Sequence, residues 1–197
     1  LSTNAQLLMT GLAFGAIYAL VALGFALIYQ AVGVVNFAQG EMVMVPAFIS
    51  AAFLNMLRVP MLVGYLGTLA AAAVFGILFE RVAYHPLRSR PFLPVIISTI
   101  GASILLQNSA QLIFGSTPYD LPKVFPSGDM LRFGEVRVLP QYLLIVGVTL
   151  VAVAFQYWLF EKTLIGKKMM ATAQDKSTAR LMGIRADRMV MLTFVYS

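Results

Sequence analysis

Three stretches of this sequence carry side chains able to bind or react, and all three lie in strongly apolar surroundings. The first is VGVVNFAQGEMVMVP, residues 32–46, where Asn36, Gln39, Gly40, Glu41 and Pro46 fall between two hydrophobic runs. Glu41 is the first charged residue of the chain, and the next is Arg58. The second is a set of polar residues spaced four apart, Thr99, Ser103, Gln107 and Gln111, with Asn108 beside them. The third is GKKMMATAQDKSTARLMGI, residues 166–184, a basic segment with Asp175 near its middle.

Catalysis is not what these residues offer. The chain has no cysteine and one histidine, His85, which stands before Pro86 in a basic loop. No His/Glu set has metal-site spacing and no nucleophile is paired with a base, so no catalytic residue, metal or other cofactor is expected. A Walker phosphate loop is missing from the sequence, so any ATP must be bound and hydrolysed by a partner protein.

The first stretch has the local signals of a helix break. Gly33 suits the left-handed conformation just past a helix end. Asn36 is a good N-cap, and Gln39 three residues later completes a capping-box pattern with amide in place of hydroxyl. Glu41 then falls in the second turn, near the positive end of the helix dipole. Pro46 removes the hydrogen bond to the carbonyl of Met42. At the membrane surface this is an ordinary turn. Inside the bilayer, an ionised acid costs at least ~2.5–3.5 kcal/mol and needs a partner or a water-filled cavity. Both placements are open at this stage.

A polar stripe in a membrane helix faces protein or water rather than lipid. Thr99, Ser103 and Gln107 therefore either line a pathway or bond neighbouring helices. In the third stretch Asp175 is positioned to cap a short helix from Lys176 to Met182, closed by Gly183. Gly166, Ala171, Ala173 and Ala179 allow close approach, and Met169, Met170, Leu181 and Met182 offer adaptable apolar contacts. The plainer alternative is a basic loop lying on anionic headgroups.

The elements that must position these residues are membrane helices. Of 197 residues 60% are hydrophobic and 11% charged, with a mean hydropathy of +0.85. Soluble domains average about 25% charged residues, so too few remain here to cover a globular surface. Apolar length predicts an all-α, polytopic transmembrane bundle with complete spans near 7–31, 37–57, 61–80, 94–114 and 140–160. A sixth begins at Met189 and stops at Ser197, which together with Leu1 in place of an initiator methionine reads as a fragment of a longer protein. The first run is too long and lacks the basic leader of a cleaved signal peptide. Residues 1–197 form one transmembrane domain.

Loop charge orients the bundle. Residues 161–188 hold seven basic and three acidic side chains, and the loop Glu80–Pro94 holds Arg81, Arg88 and Arg90 against Glu80. The proline-rich loop Gly115–Leu139, within which RFGEVRV can form a hairpin, has balanced charge. Positive-inside counting puts the first two in the cytoplasm and the third outside, so the +6 net charge serves the membrane surface rather than nucleic acid. Tyr142, Tyr157 and Trp158 mark the interfaces of the fifth span. Gly11, Gly15 and Ala19, and Gly64, Thr68, Ala72 and Gly76, are small-residue stripes suited to helix–helix contact.

Two of these segments also carry a family resemblance. GVVNFAQGE resembles the N-F-A-H-G-E signature of permease subunits of branched-chain amino acid ABC importers (the LivH type). Residues 166–184 resemble that family's cytoplasmic G-x-x-x-R-A-x-A-Q-D…A-R-x-x-G-I segment, and GLAFGAIYALVALGFALIY and ERVAYHPLRSRPFLPVIISTIG read like the same permeases. Gln39 stands where the family usually has His, and Met170 where it usually has Arg. The resemblance implies a type II-like ABC importer permease in the bacterial inner membrane, of about eight spans and so truncated here. It also implies a second homologous permease, ABC ATPase subunits docking on a coupling segment at about 161–188, and a periplasmic substrate-binding protein. Related permeases handle branched-chain amino acids, other amino acids, and urea or short amides. The competing reading is a secondary transporter or channel with Glu41 as its ion- or proton-coupling site.

Overall fold

The structure is a computed structural model that describes residues 2–115, 121, 131–133 and 136–197. Helix α1 runs Ser2–Val32 and stops at Gly33, whose φ of +77° is the left-handed value the sequence predicts there. Helix α2, Gln39–Ala51, passes through Pro46 and continues into a π-helical turn, Ala52–Met56. Pro60 and Pro91 precede α3 (Met61–Phe79) and α4 (Phe92–Phe114) in extended conformation, and Pro140 opens α5 (Pro140–Lys162). Proline is favoured at helix starts because its missing N–H is not needed there. Gly115, at φ +78°, closes α4. Short helices α6 (Leu164–Gln174) and α7 (Lys176–Leu181) precede α8 (Ala186–Tyr196).

Among the described residues, four helices are long and apolar enough to cross a membrane: Gln6–Val32, Met61–Leu87, Phe92–Phe114 and Pro140–Lys162. The further span expected over 37–57 is helical from Gln39 to Met56, as α2 and its π-turn, but Gln39, Glu41 and Asn55 make it less apolar than the other four. The third span is longer than expected. Where a loop from Glu80 was predicted, a π-turn (Glu80–Tyr84) and a 3-10 turn (His85–Leu87) keep the chain helical. Ala83 and Tyr84 are buried there, so continuing the helix adds to the core. Of the loop Gly115–Leu139, most lies outside the described residues. The foreseen hairpin is present as strands β1 (Leu131–Phe133) and β2 (Val136–Val138), antiparallel, with Arg132 opposite Arg137.

Helix α1 packs on α5, α6 and α8, α2 lies against α3 and α4, and α3 packs on α8. The core gathers Ile28, Phe79, Tyr84, Val95, Val190 and Phe194, where the C-terminal ends of α1 and α3 meet the start of α4 and α8. The α3 small-residue stripe is used for close contact. A Cβ on Gly76 would lie 2.5 Å from the carbonyl oxygen of Phe194 and 3.0 Å from Val195 Cα, so α8 fits only against a glycine. Among the described residues nothing lies within 4 Å of a Cβ built on Gly11 or Gly15 of the α1 stripe.

Candidate functional site

The break between α1 and α2 is tightly tied. Asn36 Oδ1 accepts from the backbone N–H of Ala38 at 3.1 Å, and its carbonyl accepts from Gln39 N at 3.3 Å. This is an Asx-type turn rather than the capping box the sequence predicts. The start of α2 moves to Gln39, the residue before it is Ala38, and no side chain caps it. Gln39 does not reach back to Asn36. Its amide nitrogen lies 3.1 Å from a Cβ built on Gly24 of α1, and its Oε1 is buried without a partner. Asn36 Nδ2 contacts Met42 Sδ at 3.5 Å. Gly40 is exposed, with nothing within 4 Å of a Cβ built on it, so it serves no close approach.

With α2 starting at Gln39, Glu41 falls in the first turn rather than the second, where the helix dipole acts more strongly on a carboxylate. Glu41 is 5% exposed. Its Oε1 accepts from Gln107 Nε2 of α4 at 2.5 Å, and its Oε2 has no partner. Thr99, also on α4, accepts from Phe37 N at 3.3 Å and donates to Ile96 O at 2.9 Å. Ser103 lies between them and accepts from Gln107 at 3.3 Å. The polar stripe of α4 is therefore the bonding partner of the break. Asn108, beside the stripe, donates instead to Ile104 O of its own helix at 2.7 Å.

The same contacts place the break along α4. At about 1.5 Å per residue, Thr99 stands ~10 Å and Gln107 ~22 Å from the start of α4 at Phe92. Alpha4 as a whole is about 35 Å long, so Glu41 is bonded in the second half of this helix, ~10 Å short of its end. The acid is thus held by a partner on α4, as the sequence requires of a buried carboxylate.

The third stretch folds as two helices, not a loop. Thr163 accepts from Gly166 N at 3.1 Å to start α6, and a Cβ on Gly166 would collide with the backbone of Leu159 and Phe160. Asp175 caps α7, accepting from Ser177 N at 2.8 Å and Thr178 N at 3.2 Å and from both hydroxyls at 2.6 Å. The Ser177 hydroxyl first, then the Thr178 hydroxyl and the two backbone N–H groups, hold the Asp175 carboxyl well below the usual carboxylate range. At the other end Gly183 N bonds Arg180 O, and Ile184 N bonds Ala179 O, both at 3.0 Å, with Gly183 at φ +78°. That is the Schellman closure. Gly166 and Ala179 are buried, Ala171 and Ala173 half-buried, and Met169 points inward at 5% exposure. What α7 presents outward is Leu181, 89% exposed, and Met182, 75% exposed.

Charge counting alone did not reveal how α7 is held. Asp187 Oδ1 receives Arg180 of α7 and Arg88 beyond α3, each at 2.9 Å. Lys176 Nζ donates to the Tyr84 hydroxyl at 3.1 Å. These groups line a cleft of about 340 Å³ with Glu80 and Ser89 at its wall. The signal available in sequence was an isolated acid, Asp187, between Arg185 and Arg188. Among the described residues no three His, Cys, Asp or Glu side chains gather as metal ligands would.

Long apolar helices, a polar break bonded to one of them and a capped helical segment define a multi-pass, all-α membrane protein. Residues 7–197 match the family described as branched-chain amino acid transport system / permease component. The chain belongs to that family. It is 33% identical over 201 residues to the high-affinity branched-chain amino acid transport system permease protein LivH of Escherichia coli K12, covering 96% of this chain and 65% of that protein. To the corresponding permease protein BraD of Pseudomonas aeruginosa it is 34% identical over 203 residues, covering 96% of this chain and 66% of BraD. The chain thus spans just under two thirds of the length of these relatives. No solved structure matches it.

Proposed function

We propose that this chain is part of the permease subunit of an ABC importer, forming the translocation path for branched-chain or related amino acids across the bacterial inner membrane. ABC ATPase subunits dock on the α6–α7 segment from the cytoplasm, so the chain binds no cofactor itself. A second homologous permease completes the path, and a periplasmic binding protein delivers the substrate. Asn36, Gln39 and Glu41 hold the helix break beside that path. The observation that carries the reading is α7: a helix of six residues, capped at both ends, with Leu181 and Met182 facing away from the bundle. Two strong caps on so short a helix make a rigid knob, which suits a surface that must bear force. Family membership favours this over a carrier with Glu41 as its ion site.

The test is pull-down of the full-length permease co-expressed with a candidate ABC ATPase and binding protein, followed by uptake of labelled leucine into proteoliposomes. ATP-dependent uptake is expected, and Leu181→Asp should abolish ATPase retention while the protein still inserts. ATPase retention unchanged in Leu181→Asp would overturn the docking assignment. Uptake driven by an ion gradient without ATP would overturn the function.

A further inference from the structure

We propose that the π-turn Glu80–Tyr84 is a joint through which the position of α7 sets the geometry of the break at Asn36–Glu41. The proposal rests on the reading of α7 as the ATPase docking helix. Four polar contacts lie in sequence between the two sites, and neighbouring residues link them. Lys176, the first residue of α7, donates to the hydroxyl of Tyr84 at 3.1 Å. The carbonyl of Ala83, one residue earlier in the π-turn, accepts from the Ser98 hydroxyl of α4 at 2.8 Å. Thr99, one residue later in α4, accepts from Phe37 N at 3.3 Å. Phe37 lies between Asn36 and Ala38, whose side chain and N–H close the turn at 3.1 Å.

The joint has the physical character such a role needs. A π-turn widens the helix by one residue, so its carbonyls leave the regular ladder and are free to bond elsewhere. Pro86 brings no N–H to the turns that follow, and the Ala83 carbonyl is met by α4 instead. Ala83, Tyr84, Thr99 and Asn36 are all at most 6% exposed, so each bond has one end shielded by the protein. The Tyr84 ring packs on Phe194 of α8, centroids 5.6 Å apart, and that packing fixes where its hydroxyl can go. A displacement of α7 that pulls on Lys176 therefore acts on a side chain with little freedom to absorb it.

Serial contacts make a testable demand: breaking any one should do as much as breaking two. Full-length permease carrying Phe37→Cys, with no other cysteine, is labelled with a maleimide in membranes. Phe37 is 52% exposed, so a membrane-permeant maleimide meets the added thiol without displacing protein. Lys176→Met and Ser98→Ala should each change the labelling rate by about 2- to 10-fold, the span expected for one hydrogen bond. The double variant should match the larger single effect. Thr68→Ala, which removes a bond elsewhere on α3, is the control and should leave the rate as it was. Effects that multiply in the double variant, or a single variant without effect, would overturn the link.

A second measurement adds the ATPase and a non-hydrolysable ATP analogue. The nucleotide should shift labelling at position 37 in the Phe37→Cys protein and lose that shift in Tyr84→Phe, which keeps the ring and removes only the hydroxyl. An equal shift in Tyr84→Phe would overturn the proposal. Failure of the ATPase to bind at all would overturn the docking assignment instead, while the double-variant measurement still decides whether the link itself exists.

Discussion

Replacing Gln107 by leucine asks what the Glu41 carboxylate requires. In the structure Oε1 is held by Gln107 alone and Oε2 has no partner, at 5% exposure of the residue. Removing the donor leaves a buried carboxylate without a hydrogen bond, a change that costs about 2–4 kcal/mol. Only one of the two carboxylate oxygens loses a donor, so the lower end, ~2 kcal/mol, is expected. That is roughly a 30-fold loss in the folded-to-unfolded ratio. Replacing both partners, Glu41→Met with Gln107→Leu, removes the orphaned charge and should recover most of the loss. Glu41→Asp should behave like Gln107→Leu, because it keeps the charge but draws it back by one methylene.

The measurement is reversible unfolding of the purified full-length protein in mixed micelles by detergent titration, followed by circular dichroism. The reasoning fails if Gln107→Leu lies within ~0.5 kcal/mol of the parent, the range of ordinary surface changes. It also fails if the double variant is less stable than either single one, since the pair would then not be the source of the cost.

Gly76→Val should push α8 off α3, because its side chain meets the Phe194 carbonyl at 2.5 Å; a loss of about 1–3 kcal/mol in the same titration is expected, and none is expected for Gly11→Ala. Asp175→Ala with Gly183→Val should release both ends of α7 and uncouple ATP hydrolysis from uptake while insertion continues; normal coupling would exclude α7 as the docking element. Because the folded-state pKa of Asp175 is lowered, its contribution to α7 is complete above the unfolded carboxylate value of about 3.9 and declines only as the pH falls through the folded value. ATPase retention should accordingly not weaken through this residue between about pH 8 and pH 5. Leu181→Cys should label only from the cytoplasm and Ser127→Cys only from the opposite side; the reverse pattern would invert the topology.

Much of this was legible in the residues themselves. Alpha7 was readable to within one residue, because Asp175 and Gly183 are local signals whose partners lie within three residues of them. Gly33 likewise announced the end of α1. Asn36 and Gln39 misled for a related reason: the sequence supports a capping box, but the tertiary contact from Thr99 to Phe37 N and the close approach of Gln39 to Gly24 favour a different turn. The continuation of α3 past Glu80 was hidden as well. Burial of Ala83 and Tyr84 decides it, and burial is set by α4 and α8, not by the segment's own composition.

The bond between Glu41 and Gln107 shows why a polar stripe and a broken helix had to be read together. From Thr99 to Gln107 is eight residues of α4, ~12 Å along its axis. From Gln39, where α2 begins, to Glu41 the helix rises only ~3 Å. The difference is bridged because the first contact is made by a backbone N–H and the second by two long side chains reaching toward each other. The polar stripe of α4 thus receives both sides of the turn, Phe37 through Thr99 and Glu41 through Gln107. Seen alone, the stripe is compatible with a pathway lining and the acid with a surface turn. Together they bond to each other: the carboxylate of Glu41 accepts from an amide that α4 supplies.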